Sequence, residues 1–149
     1  MRHLLAVPLL AVLVAPAAAA PASRAAHMDE YLSIWAHNDA INPDTVTRLY
    51  GQRVDYYGRA MSAGDVYRDK LAFVRRYPVR SYAAVPGTVS NDCSDATPRC
   101  RVSAVMRWSR AGRGGGRESG TNTVRLDLAR EDGTLKIVRE SGEPVSGRR

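Results

Sequence analysis

Lys70 is the side chain best placed to do chemistry. It falls between Val66 and the Phe73-Val74 pair on the apolar side of a helical pattern. There an ammonium either snorkels along its stem to water or holds a charge at the rim of a buried hollow. In the second case it would pair with Asp55 or with an anionic ligand. Five rings from separate segments accompany it: Trp35, Tyr56, Phe73, Tyr82 and Trp108. Such residues either fill a core or converge on a concave apolar site, to which tyrosine hydroxyls would supply the polar groups. With Tyr31 and Met106 on the same faces, the candidate pocket comprises Tyr31, Trp35, Tyr56, Lys70, Phe73, Tyr82, Met106 and Trp108.

Other chemistries have less to work with. Beyond His3, only His27 and His37 carry imidazoles, and no carboxylate or thiol stands at metal-ligand spacing from them, so no metal is expected. No G-x-S-x-G elbow or Gly-rich phosphate loop follows a strand, and no cofactor is implied. Cys93 and Cys100 are the only cysteines, seven positions apart across turn-forming residues, and are expected to form a structural disulfide. Paired in that way, they leave no nucleophilic thiol.

The elements that must position these residues change character halfway along the chain. Met28, Tyr31, Leu32 and Trp35 recur at helical spacing within a helix expected over 28–40. Asn42 and Pro43 start a second, short helix that Gly51 is expected to end. Residues 53–57 read as a strand in which Val54 and Tyr56 share one face while Asp55 and Tyr57 share the other. Ser62 and Asp65 form a capping-box signature for a third helix that Pro78 stops. Alternation then takes over at 80–85, 100–109, 123–128 and 135–138. Cys100, Val102, Ala104, Met106 and Trp108 share a face in the clearest of these strands. Helices first and hairpin-linked strands afterwards indicate an α+β fold, helices packed on an antiparallel sheet. The Gly-rich stretch 113–117 reads as a mobile loop between strands.

The first twenty-two residues have the anatomy of a secretory signal. Arg2 and His3 precede an apolar run from Leu4 to Ala15, and Ala20-Pro21-Ala22 is an A-x-A cleavage site. The run is too short to span a bilayer, so no membrane span is expected. The reading is therefore a signal peptide at 1–22 and one domain at 23–149, exported to the periplasm or beyond. An oxidising destination favours the Cys93–Cys100 bridge. The formal charge is +7, and all but two of the 22 basic residues are arginine. Arginine is spread through every segment, which fits a soluble domain better than a polyanion-binding patch. Nucleic acid is not expected as a partner, although attachment to cell-wall or nucleic-acid polyanions remains a third, weaker role.

The order of elements resembles the NTF2-like superfamily. The likeness is carried by Leu49-Tyr50-Gly51 leading into Val54-Asp55-Tyr56-Tyr57-Gly58, then Asp69-Lys70 and Phe73, then the run Arg76 to Tyr82. The cysteine hairpin and the closing Glu140-Ser141-Gly142 add to it, and the whole is similar to an exported bacterial small-domain branch. This resemblance implies a cone, a curved sheet wrapped around helices with an apolar pocket inside, and often a homodimer through the open sheet. It includes ketosteroid isomerases and related cyclases as well as binding domains without chemistry, so fold alone does not decide function. An isomerase-like site needs a carboxylate base on the first strand. Aligned on Leu49-Tyr50, that base falls nearest Tyr56, and the first-helix tyrosine falls at Ile34. Asp127, flanked by Leu126 and Leu128, points away from the core by alternation. No catalytic residue is therefore expected. The primary reading is an exported, non-enzymatic domain binding a small apolar ligand or a protein partner. The alternative is a ketosteroid-isomerase-like or other small-molecule enzyme using the cone pocket.

Overall fold

A computed structural model describes residues 22–93 and 99–145. The expected signal peptide lies outside the described residues except for Ala22, and so do the turn residues 94–98 between the cysteines. Helices α1 (Ala22–Ala36) and α2 (Pro43–Leu49) are followed by strands β1 (Tyr50–Tyr56) and β2 (Arg59–Ser62) and then by helix α3 (Ala63–Arg76). Five strands complete the chain: β3 (Val79–Ala84), β4 (Ser90–Cys93), β5 (Arg99–Ala111), β6 (Arg117–Glu131) and β7 (Thr134–Ser141).

Local chemistry sets most of these bounds. The Asn42 side chain accepts from Thr45 N at 2.9 Å, with Pro43 in the first turn of α2. Ser62 and Asp65 close the reciprocal capping box of α3, Ser62 Oγ accepting from Asp65 N and an Asp65 oxygen from Ser62 N. Helix α1 stops at Ala36, four residues before its expected end. Gly51 does not terminate α2: Tyr50 is already extended, and Gly51 lies inside β1. A Cβ there would stand 2.5 Å from Glu131 Oε1, so the glycine lets that carboxylate lie over the strand and accept from Gln52 N.

The sheet runs β2-β1-β7-β6-β5-β3, with β4 also paired to β5. It is antiparallel as expected, except that β1 and β7 run parallel. The core holds Met28, Leu32, Val46, Tyr50, Val54, Val66, Val102, Leu126, Leu128 and Ile137, joining the helices to the concave face. Burying one such side chain contributes about 1.5–3 kcal/mol. On the convex face Arg139 pairs with Asp55 at 2.7 Å, and Arg101 pairs with Asp127 at 2.6 Å. Both carboxylates thus face outward, as alternation required. The Cys93–Cys100 disulfide joins β4 to β5 at directly opposed positions. No helix among the described residues is long and apolar enough to cross a membrane.

One irregularity governs the interior. Asp127 of β6 is opposite Arg139, but the next residue, Leu128, is opposite Ile137, so Val138 is an extra residue in β7. Strict alternation from the buried Ile137 would send Arg139 inward and Glu140 outward. The bulge reverses this, and Glu140 is fully buried.

Candidate functional site

The concave side of the sheet and helices α1 and α3 enclose a cavity of about 290 Å³. Each element supplies side chains from its inward face. Tyr31 and Trp35 come from successive turns of α1, Lys70, Phe73 and Val74 from α3, and Tyr56 from β1. Across β3 and β5, Tyr82 is paired with Trp108 and Ala84 with Met106, which places Tyr82, Trp108 and Met106 together on the wall. All eight residues expected in the pocket line this one cavity.

Six more that the sequence reading did not place there also line it: Val74 beside Phe73, and Tyr57, Asp69, Arg80, Arg110 and Asn122. Tyr57 was expected on the face opposite Tyr56. It has left the strand for a left-handed turn with φ of 51°, which swings its ring edge-on to Tyr56 at 5.0 Å. Arg80 shares the inward face of β3 with Tyr82 by alternation, a signal present in the sequence. Asn122 accepts from Trp108 Nε1 at 2.9 Å and fixes the indole. That indole lies over Gly120, where a Cβ would come within 2.6 Å of its ring.

Beneath the cavity lies a buried ionic cluster. Glu140 Oε1 accepts from Tyr31 OH at 2.7 Å and from Lys70 Nζ at 2.7 Å, while Oε2 accepts from Tyr50 OH. Lys70 is 14% exposed at the side chain and Glu140 is 0% exposed. Lys70 therefore neither snorkels freely to water nor pairs with Asp55, whose partner is Arg139. Its ammonium is also caged by rings, with centroids 4.6 Å (Trp35), 5.3 Å (Tyr56) and 5.5 Å (Tyr31) away. Burial, then the adjacent Glu140 charge, pushes the Tyr31 and Tyr50 phenols well above their ordinary range. Both remain donors, as the carboxylate requires. Burial, then Glu140, raises Tyr56 in the same way. Burial raises Tyr82 as well, against the opposing charges of Arg80 and Arg110.

The acid–base inventory facing the cavity is short. Glu140 has no exposed surface and three donors on its two oxygens. Asp69, the one carboxylate on the lining, stands half exposed near the rim and pairs with Arg59 at 3.5 Å. His37 bonds the Ser33 carbonyl through Nδ1 and does not line the cavity. Among the described residues, no three His, Cys, Asp or Glu side chains converge on a metal position.

No protein-family model matches the chain, and no curated protein matches it in sequence. Solved structures do match its shape. An NTF2-like superfamily protein from Salmonella enterica superposes with a TM-score of 0.69 at 9% identity, over 85% of this chain and 91% of that one. A candidate calcium/calmodulin dependent protein kinase II association domain from Xanthomonas campestris matches with a TM-score of 0.67 at 15% identity, over 86% of this chain and 93% of its own. A candidate dehydratase of the NTF2-like family from Streptomyces avermitilis gives 0.64 at 10% identity, over 85% of this chain and all of that one. Identities this low speak to architecture alone. The curved sheet, the three helices and these superpositions together show that the chain has the NTF2-like fold.

Proposed function

We propose that the cone cavity binds one small, largely apolar molecule and that the chain works as an exported binding domain. The observation that carries this reading is the ring-walled cavity itself: Glu140, the only fully buried carboxylate among the described residues, lies beneath it and already holds three donors. A volume of about 290 Å³ stands at the lower end of small-molecule sites, roughly 300–1,000 Å³. It suits a compact molecule of about ten to a dozen heavy atoms, two fused rings or a small cage. Proton transfer would need a base within reach of the ligand. Glu140 is sealed behind Tyr31, Tyr50 and Lys70, and its role in this reading is to hold the cavity floor. Export rests on the signal-like leader and fits the Cys93–Cys100 disulfide.

Both tryptophans of the chain line the cavity, so their emission reports occupancy directly. Adamantane-1-carboxamide is a suitable neutral probe, being rigid, compact and transparent in the tryptophan band. The expected result is a saturable 1:1 emission change that Val74→Phe, which fills the cavity, weakens at least tenfold. Binding that Val74→Phe leaves unchanged, or no saturable binding, overturns the proposal. Asp69 favours one second reading, an enzyme acting at the rim beside Tyr56, because it is the single carboxylate on the wall. Turnover of a bound compound that Asp69→Asn abolishes without weakening binding would select that reading.

A further inference from the structure

Two buried side-chain donors among the described residues have no hydrogen-bond partner, Trp35 Nε1 and Arg80 Nη2, and both residues line the same cavity. Arg80 is 7% exposed. Its Nε donates to Trp35 O at 3.0 Å and its Nη1 to Tyr77 O at 2.6 Å, so two of its three nitrogens fasten the ends of α1 and α3. Those acceptors are neutral carbonyls. Among the described residues no carboxylate pairs with Arg80. Directly opposite, across β3 and β5, stands Arg110. Two like charges in that relation repel. Arg110 is neutralised by Glu118 at 2.6 Å, and Lys70 is neutralised by Glu140. Arg80 is thus the one cation of the lining left without a counter-charge, and burial pulls its pKa down from the ordinary guanidinium value. A buried charge of this kind is costly unless something pairs with it.

Resting on the binding reading above, we infer that the ligand of this cavity is an organic anion, an apolar body bearing a carboxylate that pairs with Arg80, the orphaned donors at Trp35 and Arg80 turning out from their covered positions to meet it. Both orphans are N–H groups and neither is an acceptor, which selects an acceptor-rich group on the ligand. The charge selects an anion over a neutral carbonyl, because a charge-assisted bond to guanidinium is about twice as strong as a neutral one. A planar carboxylate also suits the flat guanidinium edge. The rings of Trp35, Tyr82 and Trp108 then surround the apolar remainder.

The experiment compares adamantane-1-carboxylate with adamantane-1-carboxamide, which share shape but differ in charge, by tryptophan emission at neutral pH and low salt. The expected result is at least tenfold tighter binding of the carboxylate, a preference that Arg80→Gln removes because the carboxylate loses at least tenfold more affinity than the carboxamide. Trp35→Phe, which keeps a ring but loses the N–H, is expected to reduce the preference severalfold, with Trp108 as reporter. Equal affinity of the wild-type protein for the two probes overturns the anion assignment and leaves the binding reading intact. That outcome would make Arg80 a helix-end clamp only. A preference that survives in Arg80→Gln also overturns it, since another cation would then hold the anion. Should Arg80→Gln fail to fold, the wild-type pair and Trp35→Phe still decide. Failure of both probes to bind removes the binding reading and this inference together.

Discussion

Replacing Lys70 by methionine removes the ammonium from a carboxylate that water cannot reach. Glu140 is 0% exposed and Lys70 only 14% at the side chain, so the pair lies in a low-dielectric setting. Breaking such a pair from one side costs about 3–5 kcal/mol, mostly as the penalty of the charge left behind. Here Glu140 keeps the Tyr31 and Tyr50 hydroxyls, each a charge-assisted bond of about 1.5–3 kcal/mol. The expected cost of Lys70→Met is therefore near the lower end, about 3 kcal/mol. Glu140→Gln strands the ammonium instead, but three rings surround Lys70 and it retains some contact with water. About 2 kcal/mol is expected from that side. The double variant removes both charges and should be less destabilised than the sum of the two by about 2 kcal/mol. Urea unfolding reads this directly. With a slope of about 1–3 kcal/mol per molar, Lys70→Met should move the midpoint down by at least about 1 M. Additive single and double costs, or a Lys70→Met penalty below about 1 kcal/mol, would refute the reasoning.

Three other outcomes follow from the same structure. Tyr31 and Tyr50 hold their protons far above the ordinary value near 10, so above that pH the unfolded chain releases protons that the folded chain keeps. Their contribution is intact below pH 10 and is lost as pH rises further, by about 1.4 kcal/mol per pH unit for each phenol; unchanged urea midpoints between pH 9 and pH 11 would contradict this. Reducing the Cys93–Cys100 bridge, which closes a short loop, should cost about 2–3 kcal/mol and lower the melting temperature without abolishing folding; an unchanged melting curve in reductant would contradict it. At Gly142 a Cβ would overlap the Thr123 carbonyl oxygen, so Gly142→Ala should destabilise by more than about 2 kcal/mol in chemical denaturation, and a neutral effect would count against the β6–β7 packing described.

The sequence carried the local features and missed those that depend on register. The caps at Asn42 and Ser62 are side-chain signals that act within three residues, and both helices begin where those signals stand. Period-2 alternation along 100–108 placed Met106 and Trp108 on the inner face, because nothing interrupts that strand. The short strands β2 and β4 went unread because Arg59–Ser62 and Ser90–Cys93 carry little apolar patterning and exist as partners of longer neighbours. Glu140 was hidden for a different reason. Extending the alternation of Leu135 and Ile137 points it to solvent, and only the extra residue at Val138 turns it inward. A bulge is a property of two paired strands, and no single strand declares it. Arg80 was legible in part, since it stands two positions before Tyr82 on one face. Its want of a counter-charge appears only when Arg110, Glu118 and Glu140 are placed in space.

A crystal structure of the protein grown with adamantane-1-carboxylate tests the central claim, that the cone cavity is the ligand site, more directly than any affinity. The predicted result is density for the probe inside the cavity, ringed by Trp35, Tyr82 and Trp108, with Lys70 still bonded to Glu140 beneath it. A cavity closed by its own side chains, with the probe absent or attached only to the outer surface, would contradict the account.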